Sequence, residues 1–183
     1  MFMVMKPMSR RAVDSGVTPF RALLTTLLPA FIIGFAQATL LWLIQVLVIG
    51  VSPDHPSAMF LSLWFVSWVF ISIIVANNVV LGVAAGRLVT MALMSLQLVA
   101  SNGLYPPEVQ PRFIQWVHVV DPMRFSVDML RYSLFGSSEG DQRVVVAVVV
   151  LTLFALAAWM ISSLGLWKHR VIVRKDIHPE LEL

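Results

Sequence analysis

VVVAVVVLTLFALAAWMISSLGLW, residues 144–167, holds no charged side chain from end to end and is closed by Lys168, His169 and Arg170. A helix needs roughly 20 apolar residues to cross a hydrocarbon layer about 30 Å thick, and this stretch meets that length. Its Val-rich start could serve a soluble protein as a strand. In lipid, however, backbone N–H and C=O groups must be satisfied within the segment or in a closed barrel, so a single long run reads as a helix. Working outward, three further stretches lack Asp, Glu, Lys and Arg: Ala22 to Pro53, His55 to Gly86 and Leu88 to Pro107. Apolar residues make up 58% of the 183-residue chain and charged residues 13%, against about 45–50% and about 25% in a soluble domain. The chain therefore reads as an integral membrane protein of several helices.

Between these stretches the sequence supplies breaks. Ser9 to Arg21 is polar, with Gly16 ending one helix and Pro19 opening another after Thr18, which reads as an interfacial elbow. The first complete span, about Leu23 to Val51, contains Pro29 and Gly34 and is expected to tilt or kink, with Gln37 and Gln45 pointing into the bundle. Ser52 to Pro56 is a tight turn in which Asp54 is suited to capping the next helix. The second span, about Ser57 to Leu81, carries Trp64 and Trp68 on one stripe; Asn77, Asn78, Gly82, Gly86 and Arg87 mark its end. The third, about Leu88 to Ser101, is short and closes at Ser101-Asn102-Gly103.

After Tyr105 the pattern changes. Val109, Phe113, Trp116, Val117 and Val120 recur at helical spacing among polar residues, giving a short amphipathic helix after Pro106-Pro107. Asp121-Pro122 breaks it, and a second helix presents Met123, Val127, Leu130 and Leu134 on one face before ending at Gly136. The pair is too polar and short to cross and reads as an outer hairpin. Arg124, Asp128 and Arg131, spaced by four and three, share a helix face. That is either a solvated face or a self-neutralising one that lets the hairpin dip into the bundle, where unpaired charge is costly.

Basic residues orient the chain. With both ends inside, the cytoplasmic face collects Lys6, Arg10, Arg11, Arg21, Arg87, Lys168, Arg170, Arg174 and Lys175, and the outer face keeps Arg112, Arg124, Arg131 and Arg143. Both ends on one side require an even number of spans. The expected architecture is an all-α, polytopic membrane helix bundle: four complete transmembrane helices, a re-entrant outer hairpin and a cytoplasmic elbow. It is a single membrane domain over 1–183. Residues 1–21 form the end of a truncated span and the elbow, 22–101 three spans, 102–142 the hairpin, 143–167 the last span and 168–183 a cytoplasmic tail.

Several chemistries are excluded or disfavoured. Without Cys there are no disulfides or thiolate sites, and no Gly-rich turn ends in Gly-Lys-Ser or Gly-Lys-Thr, so no phosphate-binding loop of that type exists. His55, His118, His169 and His178 have no metal-ligand spacing and read as exposed interfacial residues. There is no Gly-x-Ser-x-Gly elbow. No catalytic, metal or cofactor residues are assigned, and the chain does not read as an enzyme. The +3 net charge is explained by span flanks and anionic lipid headgroups rather than nucleic acid. Gln37, Gln45, Asn77, Asn78 and Gln97 read first as links between helices. The charge-free stretches also disfavour a proton-coupled carrier, which wants an ionisable group in mid-span.

The run Lys6-Pro7-Met8-Ser9-Arg10-Arg11-Ala12 before a long span, then Leu96 to Val109, Phe113 to Trp116, His118, Asp121-Pro122-Met123 and Val127 to Arg131, resembles the C-terminal membrane region of the YhgE/Pip proteins, within the type-2 ABC permease class. The resemblance implies a six-span fold with a cytoplasmic elbow after the second span and a re-entrant outer hairpin before the last. Met1 then falls where the second span ends, so the remaining spans and an outer domain belong to a longer product or another chain. It further implies a permease subunit of an exporter in the bacterial plasma membrane. Its partners are the lipid bilayer, a separate ATP-binding cassette subunit touching the elbow at Arg10, Arg11 and Arg21, and a second copy or the missing N-terminal half. The alternative it leaves open is a non-transporting anchor or scaffold of a secretion-associated or phage-receptor-type surface protein.

Overall fold

The computed structural model describes residues 19–101, 111–136 and 142–168. All regular structure among them is helical: α1 (Pro19–Leu43), continued by a π-helical turn at Ile44–Val48, α2 (Pro56–Leu81), α3 (Val83–Ala100), α4 (Arg112–Val120), α5 (Pro122–Phe135) and α6 (Arg143–Lys168). Three helices are long and apolar enough to cross a membrane, over Leu27–Val48, Pro56–Leu81 and Arg143–Gly165, and Ala84–Ala100 is a shorter apolar helix. The Val-rich start of α6 is helical, as lipid requires.

The bundle is built around α2, which packs against α1, α3, α5 and α6. Of its span residues 33% are buried, against 22% for α6 and 11% for α1, so the outer two present most of their surface to whatever surrounds the bundle. One apolar core joins Leu27 and Ala30 of α1 to Ile71 and Val75 of α2, and another joins Val69 of α2 and Met129 of α5 to Ala147, Leu151 and Ala155 of α6. Small residues set how near the helices come. A Cβ on Gly34 would lie 2.6 Å from the Ser67 hydroxyl, and one on Gly86 would lie 2.8 Å from the Asn78 Cα. Such close approach is how helices associate where lipid removes the hydrophobic drive between them.

Polar groups inside the bundle act as links. The Trp159 indole N–H on α6 donates to the Ser72 hydroxyl on α2 at 3.0 Å, and that hydroxyl donates to the Trp68 carbonyl at 2.9 Å. Asn77 donates to Thr90 across α2 and α3 at 3.4 Å. Gln37 departs from the expectation: it is exposed, whereas Gln45 is half-buried. Eight residues at about 100° each leave the two roughly 80° apart, and the π turn beginning at Ile44 shifts the phase again.

Two boundaries also differ from the sequence reading. The link from α2 to α3 is Gly82 alone, at φ 79°, and helix resumes at Val83. Gly86 and Arg87 are therefore helical, and α3 has 18 residues. At the start of α2 the N-cap is His55, without a side-chain bond. Asp54 instead turns its backbone N–H to the Leu134 carbonyl, while the His55 N–H donates to the Ser133 carbonyl at 3.1 Å. These bonds fasten the α1–α2 turn to the end of α5, so that the turn and the end of α5 share one end of the bundle.

Candidate functional site at the hairpin

Helices α4 and α5, where the sequence placed the hairpin, are short because both have strong stops. Asp121 is extended, at φ −70° and ψ 117°, and Pro122 occupies the first turn of α5; a residue before proline is pushed out of the helical region. The Asp121 carboxylate then caps α5, with Oδ1 accepting from the Met123 N–H at 3.0 Å. The other carboxylate oxygen is buried without a hydrogen-bond partner, and the residue is 2% exposed. Burial raises the Asp121 carboxyl above its ordinary 3.8, opposed by the Met123 N–H, the nearby His118 and the Arg124 N–H.

Below this joint the hairpin is tied to the bundle. His118 Nδ1–H donates to the Ala100 carbonyl at the end of α3, which fixes the tautomer because a carbonyl can only accept. His118 is accordingly half-buried, not the exposed interfacial residue its position suggested. The helix α5 lies along both α2 and α6. Its buried face is Pro122, Ser126, Met129 and Ser133, displaced from the Met123, Val127, Leu130 and Leu134 face that hydrophobicity indicated. Both serine hydroxyls bond within their own helix, to the Pro122 and Leu130 carbonyls, and so pack closely without a polar demand on their neighbours. On α4 the apolar face is turned outward, with Trp116 80% exposed beside Phe113 and Val120.

Arg124, Asp128 and Arg131 line a cavity of about 430 Å³ between the hairpin and the start of α6, together with His118, Arg143 and Val146. The Arg124 guanidinium also lies 5.5 Å from the centre of the Phe125 ring. The cluster read along one helix face is thus gathered in space, and packing adds two members that no spacing links to it. His118 comes from the other arm of the hairpin, and Arg143 from the helix beyond the link. A second cavity, about 320 Å³, is aromatic: Phe31 and Phe35 of α1 face Trp64, Phe65 and Trp68 of α2. The Phe35 and Trp64 rings meet edge to face at 6.0 Å.

A comparison with protein families matches the ABC-2 type transporter membrane model to residues 1–135, which is 135 of the 183 residues. The chain belongs to this family. The match runs through α1 to α5 and stops at Phe135, the last residue of α5, leaving α6 outside it. Neither the curated proteins nor the solved structures contain a match. As an ABC-2 membrane domain the chain is a multi-pass membrane protein of a transporter family whose membrane domains work with ATP-binding subunits. Of the three arginines expected at a coupling elbow, Arg10 and Arg11 lie outside the described residues, and Arg21 falls in the first turn of α1. Among the described residues no group of three His, Cys, Asp or Glu side chains is placed to hold a metal.

Proposed function

We infer that the chain is the permease-type membrane subunit of a type-2 ABC-like exporter of the bacterial plasma membrane, within or close to the YhgE/Pip group. In this reading α1, α2, α3 and α6 are four spans, both ends are cytoplasmic, and α4–α5 is a hairpin that enters from the outer face without crossing. The family match carries the class. The hairpin reading is supported by α5, which packs against α2 and α6 with Met129 in one apolar core with Val69, Leu151 and Ala155, and whose last carbonyls are bonded to the α1–α2 turn. The exposed Trp116 suits a headgroup-level position on that face. A fourth span of 18 residues is near the minimum length for crossing, and Arg87 close to its start suits the cytoplasmic boundary.

Partnership with a further helical surface is supported by α1. Gln37 sits midway along α1 on an exposed face with Leu40 and Leu41. A mid-span amide is better placed against a neighbouring helix than against lipid, and a second copy or the N-terminal half of a longer product would supply one. The elbow at Arg10, Arg11 and Arg21 would meet the ATP-binding cassette subunit. Affinity purification of the tagged chain with a co-expressed ATP-binding cassette subunit tests this. The subunit is expected to be retained by the wild type and lost on replacing all three arginines by Ala. Failure of the wild type to retain any such subunit would favour the anchor reading; retention by the triple variant would move the contact elsewhere.

A further inference from the structure

We propose that Asp121 is a proton-binding site inside the bundle, and that its proton latches the joint between α4 and α5 onto the end of α3. Two independent counts give the depth of that joint. The Ser133 carbonyl of α5 accepts from the His55 N–H at the start of α2, and Asp121 precedes Ser133 by about 18 Å of helical rise, which reaches about Ser67 on α2. From the other end, Asn77 of α2 donates to Thr90 of α3. The Ala100 carbonyl that receives His118 lies about 15 Å further along α3, again level with about Ser67. Because α2 runs from Pro56 to Leu81, the joint sits near the middle of its length. The spans carry no ionisable group at such a level, and the hairpin brings one in. Asp121 is 2% exposed, and its Oδ2 has no hydrogen-bond partner. About one turn back from Ala100, Gln97 is 8% exposed, and its Oε1 is likewise without a partner. Two buried acceptors at one junction are relieved by a proton, which turns Oδ2 into a donor and removes a charge that is costly inside a membrane bundle.

The charged groups of the packed elements leave that oxygen to the proton. Helix α2 carries no charged residue, and α3 carries only Arg87, at its opposite end. Helix α4 brings His118 and, at its start, Arg112; α5 brings Arg124, Asp128 and Arg131; α6 brings Arg143 and Lys168 at its two ends. Arg124, Asp128, Arg131 and Arg143 line the cavity with His118, and none of them bonds Oδ2. His118 is the near charge that would answer a carboxylate, but its Nδ1–H is given to the Ala100 carbonyl. Loss of the proton therefore leaves a buried carboxylate oxygen unpaired. The joint gains by letting Asp121 reach water, and that movement breaks the bond from His118 to Ala100. None of this depends on an ATPase, on the direction of transport or on the side of the membrane that the hairpin faces.

The latch is tested in the intact chain in lipid nanodiscs by the distance between spin labels on Leu98→Cys of α3 and Trp116→Cys of α4, both exposed positions. The short distance is expected to dominate in acid. Its population should fall against the open one by up to about tenfold per pH unit as pH rises above the ordinary carboxyl value of 3.8, and level off once the docked joint has lost its proton. Asp121→Asn keeps an acceptor for the Met123 N–H and has no proton to lose, so it should hold the short distance at every pH. Infrared pH-difference spectra should show the carbonyl stretch of a protonated carboxylic acid in the wild type and lose it in Asp121→Asn. Three outcomes would overturn the proposal. A wild-type distance that ignores pH would leave Asp121 as a helix cap alone. A pH response that survives Asp121→Asn and is lost in His118→Gln or Glu108→Gln would assign the proton elsewhere. Identical infrared spectra for wild type and Asp121→Asn would show that Asp121 does not titrate.

Discussion

Gly82 joins two membrane helices alone, at φ 79° and ψ 167°, a region essentially reserved for glycine. Gly82→Ala is expected to cost about 1–3 kcal/mol, read as a lowered melting temperature in detergent, while Gly50→Ala, at φ 76° in the α1–α2 turn, samples a similar strain at a non-helical link. Asp121 makes a pH-dependent prediction. Its carboxyl is raised by burial, so the folded state holds the proton more tightly than the unfolded chain does. The resulting penalty is absent below the ordinary value of 3.8, grows as pH rises toward the folded-state value and is constant above it. Asp121→Asn keeps an acceptor for the Met123 N–H and removes the buried charge. It is expected to melt higher than wild type at neutral pH, with the advantage vanishing in acid; an advantage independent of pH would contradict the assignment to burial. Both residues stand out in the sequence, Asp121 by its neighbour Pro122 and Gly82 by its place after Asn77-Asn78. What could not be read there is that Gly82 works alone, because that depends on Gly86 seating against Asn78 in the folded pair.

At the scale of elements, the apolar stretches predicted the three helices long enough to cross a membrane, and the shorter α3 between them, in order, because a run without charge leaves the backbone little choice in lipid. Faces were harder to read. Hydrophobic residues mark the buried side of a helix in water, but in a membrane the surroundings are as apolar as the core, and packing selects small residues instead. For that reason α5 buries Ser126 and Ser133 and α4 turns Phe113 and Trp116 outward. Ser126→Leu is accordingly expected to destabilise by about 1–3 kcal/mol through overpacking, while Ser126→Ala is near neutral, since its hydroxyl bonds only the Pro122 carbonyl of its own helix. Thermal melts of the two variants separate these outcomes. The link between α2 and α6 has its own test: Trp159→Phe removes the donor to Ser72 and should cost about 1 kcal/mol. In a double-mutant cycle with Ser72→Ala the losses should be less than additive. The charged cavity was half legible, since Arg124, Asp128 and Arg131 follow from helical spacing. His118 and Arg143 arrive only through the packing of three separate helices.

For the whole molecule, the central claim is that the hairpin and the α1–α2 turn face outward while the two ends of the chain face the cytoplasm. The turn and the end of α5 are bonded together, so these two segments lie at one end of the bundle, and the asymmetry of the basic residues is the ground for proposing that this end faces outward. The protein has no cysteine, so single cysteines can be introduced without first removing any. Ser52→Cys in the turn, Trp116→Cys on α4, Ser9→Cys in the elbow and His178→Cys in the tail sample the regions at issue. Labelling each in intact cells with a membrane-impermeant maleimide is the most direct measurement. Ser52→Cys and Trp116→Cys should react in intact cells, and Ser9→Cys and His178→Cys only after permeabilisation. If Trp116→Cys reacted only after permeabilisation, or if the cysteines at positions 9 and 178 reacted on opposite sides, the four-span permease topology would be contradicted.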